Sequence, residues 1–480
     1  MIGLPFRAEP TEGSWSTMDY ASHIAGKFHN APPSGFSVVV DDVWLFPHQR
    51  HAVTWALAGG RRAIFLDTGL GKTRIELAWA DYVCRNTGGR VILLAPLAVG
   101  AQTVREAMVV GLAGVVFARR PDDVPSDARI VVVNYDSIDH FDDVVFAGVV
   151  LDESSILKSF MGKFRSRLIE RFKDTPYRLA ATATPAPNDF DELGNHSEFL
   201  GLYRRVEMLS RFFVNDLADT GTWRVKNHAI IPFWDWVASW ALMGSLPSHI
   251  GPYDDGAYVL PPLHLHRHVV DVDIKSGAEE GFLFRLPGLS ATGVHGEKRR
   301  TADARAAKVA RIMALEPDEP WLVWVETNYE AEAIMALLPD AVEVSGDMKP
   351  EVKTARLLGF CNGGHLVTKA KIAGFGMNWQ HCARVIFAGG TYSYESFYQS
   401  IRRCWRFGQR RPVEAHVVMA YTEQHMWDVV SAKSDAHQAM RDHMIAASTR
   451  AQGKAAARSI YVPTHFAPIP AWFCSYTSGE

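Results

Sequence analysis

The 480-residue sequence predicts an α/β fold made of two parallel-sheet units joined by a tryptophan-rich middle segment. Three observations carry that expectation. From residue 45 to about 200, short apolar runs alternate with helix-forming stretches, and the same alternation returns over 301–445. Such alternation predicts parallel strands with helices on both faces of the sheet. Between the two units, residues 201–300 break the pattern and gather Trp223, Trp234, Trp236 and Trp240.

Composition sets the outer limits. The chain is too long for one hydrophobic core, and 48% hydrophobic with 21% charged residues is ordinary for globular domains. A net charge of −3 means that any surface for nucleic acid is a local patch. Five scattered cysteines form no C-x-x-C pair, which points to neither a disulfide framework nor a zinc site and fits a reducing cytosol. The N-terminus lacks the charge and apolar pattern of a signal peptide, and no apolar run approaches bilayer length. No membrane role is therefore expected.

Taken in order, residues 1–43 are rich in Gly, Pro and Ser and read as an N-terminal lead-in with one short helix. In the first unit, 44–200, strands are predicted at 63–66, 91–95, 114–118, 130–134, 149–152 and 177–181. The first of these ends in Asp67-Thr68-Gly69-Leu70-Gly71-Lys72-Thr73, followed by a helix-forming run. A glycine-containing loop at a helix N-terminus turns its N–H groups toward a phosphate chain. Lys72 is then placed to reach the outer phosphates and Thr73 to bind magnesium, although the strict phosphate-loop pattern wants glycine where Leu66 stands. The strand at 149–152 ends in Asp152-Glu153, which suits a magnesium-holding acid beside one that orients water.

In the middle segment, 201–300, Pro232 starts an expected helix with Phe233, Trp236, Val237, Trp240 and Ala241 on one face. That spacing makes the aromatic residues a small core rather than a stacking surface for bases. The alternation in His264-x-His266-x-His268 reads as a plain strand, since no cysteine or acid stands at ligand spacing. In the second unit, 301–445, strands are predicted at 321–325, 342–345, 365–368, 384–388 and 414–420, with a tail over 446–480. Five arginines fall between Glu395 and Glu414 with no acid among them, and Arg403 and Arg406 share a helical face. Guanidinium forks on one face suit a terminal phosphate and its developing charge.

These segments together resemble a superfamily-two helicase of the Swi/Snf (DEAD/DEAH-like) type, a family of double-stranded-DNA translocases. Gln399-Ser400-Ile401-Arg402-Arg403-Cys404-Trp405-Arg406-Phe407-Gly408-Gln409 is similar to the family's Q-A-x-D-R-x-H-R-x-G-Q. Asp152-Glu153-Ser154-Ser155 stands where the family has D-E-A-H, and Ala181-Thr182-Ala183-Thr184-Pro185 where it has L-T-G-T-P. Leu45-Phe46-Pro47-His48-Gln49 resembles L-R-P-Y-Q, and Gly374-Phe375-Gly376-Met377-Asn378 resembles G-L-G-I-N. The family's own phosphate loop, D-E-M-G-L-G-K-T, also lacks the early glycine.

The resemblance implies two RecA-like domains with a mainly helical, Trp-rich insert or linker between them, and ATP with magnesium bound at their junction. It implies that Gln49 reads the adenine and that Thr68, Gly69, Leu70, Gly71, Lys72, Thr73 and Gly376 surround the nucleotide. Thr73 and Asp152 would hold magnesium; Glu153, Asp152, Lys72, Arg403 and Arg406 would carry the chemistry; Thr182, Thr184 and Gln399 would couple it to movement. Pro96, Asn134, Tyr135, Lys158, Lys163, Lys371 and Asn378 are the expected nucleic-acid contacts, because a translocase grips the backbone and not the bases. Lys158–Lys173 is the most basic stretch of the first unit. Three departures stand out: Arg402 replaces an acid, Trp405 replaces a histidine, and Ser154-Ser155 removes the usual coupling histidine.

The activity expected is ATP-driven movement on duplex DNA. An RNA helicase or restriction-type motor subunit, and a non-motor DNA-loading or interaction module, stay open as alternatives, with RNA or single strands as possible partners. The compact build suggests a phage or bacterial accessory protein in the cytoplasm of a bacterium or an infected cell.

Overall fold

A computed structural model of the chain describes residues 31–158, 162–215, 223–271, 291–373 and 377–460. The short helix expected in the lead-in, Gly376 and the end of the tail lie outside these residues. The first sheet contains β1 (Arg61–Leu66), β2 (Val91–Ala95), β3 (Val115–Phe117), β4 (Ile130–Asn134), β5 (Gly148–Asp152) and β6 (Tyr177–Ala181). A small antiparallel hairpin follows, β7 (Phe213–Asn215) with β8 (Trp223–Val225), and then β9 (Ala241–Gly244). The sheet order is β3-β4-β2-β5-β6-β1-β9, with every pairing parallel. The second sheet is built from β10 (Leu263–Val270), β11 (Trp321–Val325), β12 (Val342–Val344), β13 (His365–Lys369), β14 (Arg384–Phe387) and β15 (Val413–Ala420). Its order, β10-β15-β14-β11-β13-β12, is again wholly parallel. Two parallel sheets flanked by helices and meeting across a cleft are the α/β class that the alternation predicts.

The first unit's helices are α1 (Pro47–Gly59), α2 (Lys72–Thr87), α3 (Leu97–Val109), α4 (Gly162–Phe172) and α5 (Leu193–Leu200). The middle segment adds α6 (Arg205–Phe212) and α7 (Ile230–Ala238). The second unit carries α8 (Ala291–Arg300), α9 (Ala302–Met313), α10 (Asn328–Met335), α11 (Pro350–Gly359), α12 (Ala370–Ala373), α13 (Tyr394–Ile401) and the long α14 (Gln424–Ile460).

Side chains along a strand alternate between faces, so each sheet separates two cores. In the first sheet Phe65, Ile92, Leu94, Val131, Val133 and Leu151 point to one face, while Ile64, Leu66, Leu93, Val132 and Val150 point to the other. The second face is covered by Ala52 and Val53 of α1 and by Ile75 and Trp79 of α2. The first face is covered by Leu168, Phe172, Phe199, Phe233 and Trp236, and also by Met440, Met444 and Ala447 of α14. The last helix of the chain thus completes the core of the first unit, where Arg450 also bonds Asp235 at 2.6 Å.

The middle segment does not stand apart from the sheets. β9 extends the first sheet beside β1, and β10 forms the edge of the second. Phe233, Trp236 and Trp240 are buried, as their spacing predicts, but in the first unit's core and not in a small core of the middle segment's own. The helix stops at Ala238, however, so Trp240 leads into β9. His264 and His266 bond Glu414 at 2.8 and 2.5 Å, and His268 meets His416 at 3.0 Å.

Candidate nucleotide and nucleic-acid site

All the nucleotide candidates of the first unit sit at the carboxyl ends of its strands, where open α/β sheets place their ligands. β1 ends at Leu66 and α2 begins at Lys72. The loop between them turns at Gly69 and Gly71, whose φ angles of +98° and +82° lie in the left-handed region that glycine adopts without strain. Gly71 also lets Gln49 approach: a Cβ there would stand 2.1 Å from the Gln49 amide nitrogen. Lys72 donates to the Leu66 carbonyl at 2.9 Å, which lays its ammonium along the loop.

Lys72, Thr73, Asp152, Glu153, Arg403 and Arg406 line one cavity of about 170 Å³, with Thr68, Gly69, Gly71 and Asn378. The first four come from the first unit and the two arginines from the second, in the turns after α13 ends at Ile401, so they do not share the helical face that their spacing suggests. Arg403 donates to the carbonyls of Gln399 (3.1 Å) and Met377 (3.4 Å), and Arg406 to that of Met377 (3.3 Å). Among the described residues both guanidiniums find only carbonyl partners, and burial lowers them to about 10 and about 9. A buried Arg403 and a half-buried Arg406 without a carboxylate hydrogen-bonded to either are costly unless an anion is brought to them.

Burial, with Glu153 next to it, raises Asp152 to about 7, against the pull of Lys72. The donor set of Thr73 and Asp152 offers hard oxygen atoms to a cation that keeps water and phosphate as its other ligands, which fits magnesium. Glu153 is the one non-glycine residue with positive φ among the described residues, at +55°. Such strain persists only where its surroundings hold it. Thr182 does so, donating to Glu153 Oε2 at 3.1 Å, and the Thr184 N–H donates to the Thr182 hydroxyl at 3.1 Å. The Thr184 hydroxyl then donates to Glu395 Oε1 on α13 at 3.3 Å, and Lys158 pairs with the same carboxylate. A chain of polar contacts therefore runs from Glu153 into the second unit.

Several expected roles meet a different geometry. Both ends of the Gln49 amide are engaged: Oε1 accepts from the Phe46 N–H and Nε2 donates to the Leu70 carbonyl, each at 3.0 Å. Gln49 braces the loop before α2 in this arrangement, and the Leu70 side chain is buried. Gln399 is buried and supports Arg403 through its carbonyl. Tyr135 does not face outward; it is 3% exposed, and its hydroxyl donates to the Asp152 carbonyl at 2.7 Å, so it props the acid strand instead of meeting nucleic acid. Asn134 is buried beside it, and Asn378 lines the same cavity as Lys72 and Arg403. Pro96 sits between β2 and α3, Lys163 is exposed on α4, and Lys158 is occupied by Glu395.

Lys371 is exposed and borders a second cleft, of about 520 Å³, at the carboxyl ends of β11 and β13. Lys298, Lys369, His295, Tyr392 and Ser396 line the same cleft, as does Glu326, which pairs with the buried Lys298 and leaves Lys369 and Lys371 as the cleft's outward cations. Ser396 is next to Glu395, so this basic cleft adjoins the polar chain from Glu153.

Three participants were not legible as site residues. Glu395 looks like an ordinary first-turn acid. His196 of α5 brings Nε2 to 3.1 Å from the Ser154 hydroxyl, placing an imidazole beside the acid motif from a distant helix. Glu76, one turn into α2, is fully buried with no hydrogen-bond partner for either oxygen among the described residues. Burial, with Asp152 and Glu153 nearby, holds its carboxyl well above the usual range. Its position on the inner face of α2 was the one available signal.

Residues 304–408 match the family described as helicase conserved C-terminal domain. No curated protein matches the chain. Among solved structures the chain is similar to the Sulfolobus solfataricus SWI2/SNF2 ATPase core in complex with double-stranded DNA. The identity is 16% over 86% of this chain and 96% of that one, with a TM-score of 0.41. No helix among the described residues is long and apolar enough to cross a membrane.

Proposed function

We propose that the protein is an ATP-dependent motor that moves along duplex DNA. The observation that carries this reading is the shared cavity, in which Lys72, Thr73, Asp152 and Glu153 face Arg403 and Arg406 across the junction of the two units. The match of residues 304–408 to a helicase C-terminal domain supports it from the second unit alone.

The triphosphate would lie against the loop N–H groups and Lys72, at the N-terminus of α2. Thr73 and Asp152 would hold magnesium, which when bound neutralises charge on the outer phosphates. Glu153, fixed by Thr182, would orient a water in line with the terminal phosphate, and Arg403 and Arg406 would stabilise the charge that develops there. Those arginines belong to the second unit, so hydrolysis requires closure, and loss of the terminal phosphate favours opening. The contacts Glu153–Thr182–Thr184–Glu395 would carry that change to the basic cleft containing Lys298, Lys369 and Lys371. Contacts to phosphates give grip without sequence preference, as continuous stepping needs.

The test is the rate of ATP hydrolysis with duplex DNA, single-stranded DNA and RNA in turn. The expected outcome is the largest stimulation by duplex DNA. Greatest stimulation by RNA would make this an RNA motor, and no hydrolysis with any of the three would remove the motor reading.

A further inference from the structure

Arg402 stands where the resembled motif has an acid, and its surroundings differ from those of its neighbours. Arg403 and Arg406 face the phosphate cavity. Arg402 instead crosses the junction to the beginning of the phosphate loop. Its Nε donates to the Thr68 hydroxyl at 2.6 Å, one terminal nitrogen donates to the Thr68 carbonyl at 3.0 Å, and the same nitrogen lies 2.9 Å from the Asp67 carboxylate. Asp67 is 8% exposed and the Arg402 side chain 4%. Tyr398 of α13 adds a second contact from the second unit at 2.5 Å, while Arg441, 3.4 Å away, lies on the part of α14 that packs into the first unit's core. The Thr68 N–H adds a bond from the loop itself, and the Asp67 N–H donates to Gly244 of β9. Trp405 and Tyr398 flank the guanidinium at 4.9 and 5.7 Å, limiting where it can point.

A buried ion pair is a poor source of net stability, because desolvation offsets the attraction, but it strongly discriminates between formed and broken states. Here the two halves belong to different units, so the pair is buried only when the units meet. We propose that Arg402 is a positioning residue, which clasps Asp67 and Thr68 on closure and so sets the phosphate loop in the same movement that delivers Arg403 and Arg406. The planar guanidinium fork meets a carboxylate, a hydroxyl and a carbonyl together, which a lysine ammonium cannot reproduce. This rests on the reading of the cavity as a nucleotide site, but the clasp can be tested without hydrolysis.

The experiment follows closure directly in the full chain. Dyes are attached at Met108→Cys on α3 and Leu315→Cys after α9, both exposed positions on opposite units, with Cys361 and Cys474 replaced by Ser. Energy transfer is read with and without a non-hydrolysable ATP analogue for the unsubstituted residue, Arg402→Gln, Arg402→Lys, Asp67→Asn and the double variant Arg402→Gln/Asp67→Asn. Circular dichroism checks that each remains folded. The expected result is loss of most of the closed population in Arg402→Gln, partial recovery in Arg402→Lys, and no further loss in the double variant beyond the worse single one. In turnover, kcat falls about tenfold or more while the affinity of the open form for a fluorescent ATP analogue changes by less than about threefold. Closure of Arg402→Gln indistinguishable from the parent, or fully additive effects of Arg402→Gln and Asp67→Asn, overturns the clasp. A parent protein that closes through Arg402 and yet hydrolyses no ATP leaves the clasp standing and removes the motor reading.

Discussion

Thr182 donates its hydroxyl to the Glu153 carboxylate at 3.1 Å, and that bond ties a backbone-strained acid to the strand end beside it. The two residues are neighbours only because β5 and β6 pair in parallel, Asp152 opposite Ala181. Thr182→Val keeps the shape and removes the donor. Hydrogen bonds to charged groups contribute about 1.5–3 kcal/mol, so kcat for ATP is expected to fall about ten- to a hundredfold. Glu153→Gln should fall further and leave nucleotide binding intact. Phosphate release and equilibrium binding of labelled ATP, measured on the same preparations, check both.

Arg406 and Lys72 should separate chemistry from binding. Arg406→Ala is expected to lower kcat about a thousandfold with little change in affinity, as arginines that act on the transferring phosphate do. Lys72→Ala is expected to weaken ATP binding itself. Neither side chain anchors a core, so the thermal midpoint of each variant should match or exceed that of the parent. Normal turnover in Arg406→Ala would withdraw its role.

Glu76 buries a carboxyl with no partner among the described residues, which is costly. Glu76→Leu fills similar space without the polar group and is expected to raise unfolding stability by about 1–3 kcal/mol, read by urea titration. If turnover falls as stability rises, Glu76 serves the site at the expense of the fold.

His196 and His437 supply a pH dependence with a defined sign. Burial lowers each to about 4, from an unfolded value of 6.5. Below 6.5 the unfolded chain takes up protons that the folded one refuses, so this stability is present above that pH and is lost as pH falls towards about 4. Each histidine contributes at most about 3 kcal/mol across that window. Asp152, raised to about 7, titrates in the opposite sense, since its protonation favours the folded state as pH falls. Urea titrations from about pH 7.5 to about pH 4.5 should therefore show a flatter acid limb in His196→Gln and His437→Gln than in the parent. An unchanged slope in both variants would remove the assignment.

Much of the fold was readable because its signals are local. Val91–Ala95, Ile130–Asn134, Tyr177–Ala181 and Trp321–Val325 form strands over the residues predicted, since a short, mostly apolar run that must be buried on both faces has few alternatives. Ala241–Gly244 was not readable as a member of the first sheet. Its four residues follow a helix and carry no alternation, and only their place beside β1 makes them a strand.

The site divides in the same way. Lys72, Thr73, Asp152, Glu153, Arg403 and Arg406 were identifiable from residue type and spacing, and they line one cavity. Gln49 and Tyr135 were identified as site residues with roles that their hydrogen bonds do not match, because a side chain's partner cannot be read from its own motif.

By itself, then, the sequence determined two parallel α/β units and singled out the 67–73 loop, the acids and the arginines that line one cavity, because those features depend on neighbours a few residues away. Tertiary structure decided the rest. It placed α14 in the first unit's core, His196 beside Ser154, Glu395 against Thr184, and Arg402 against Asp67. The physical reason is that these contacts join residues from tens to hundreds of positions apart. Each exists only once strand order and the meeting of the two units have brought its partners together, and for a buried charge such as Arg402 the partner determines what it does.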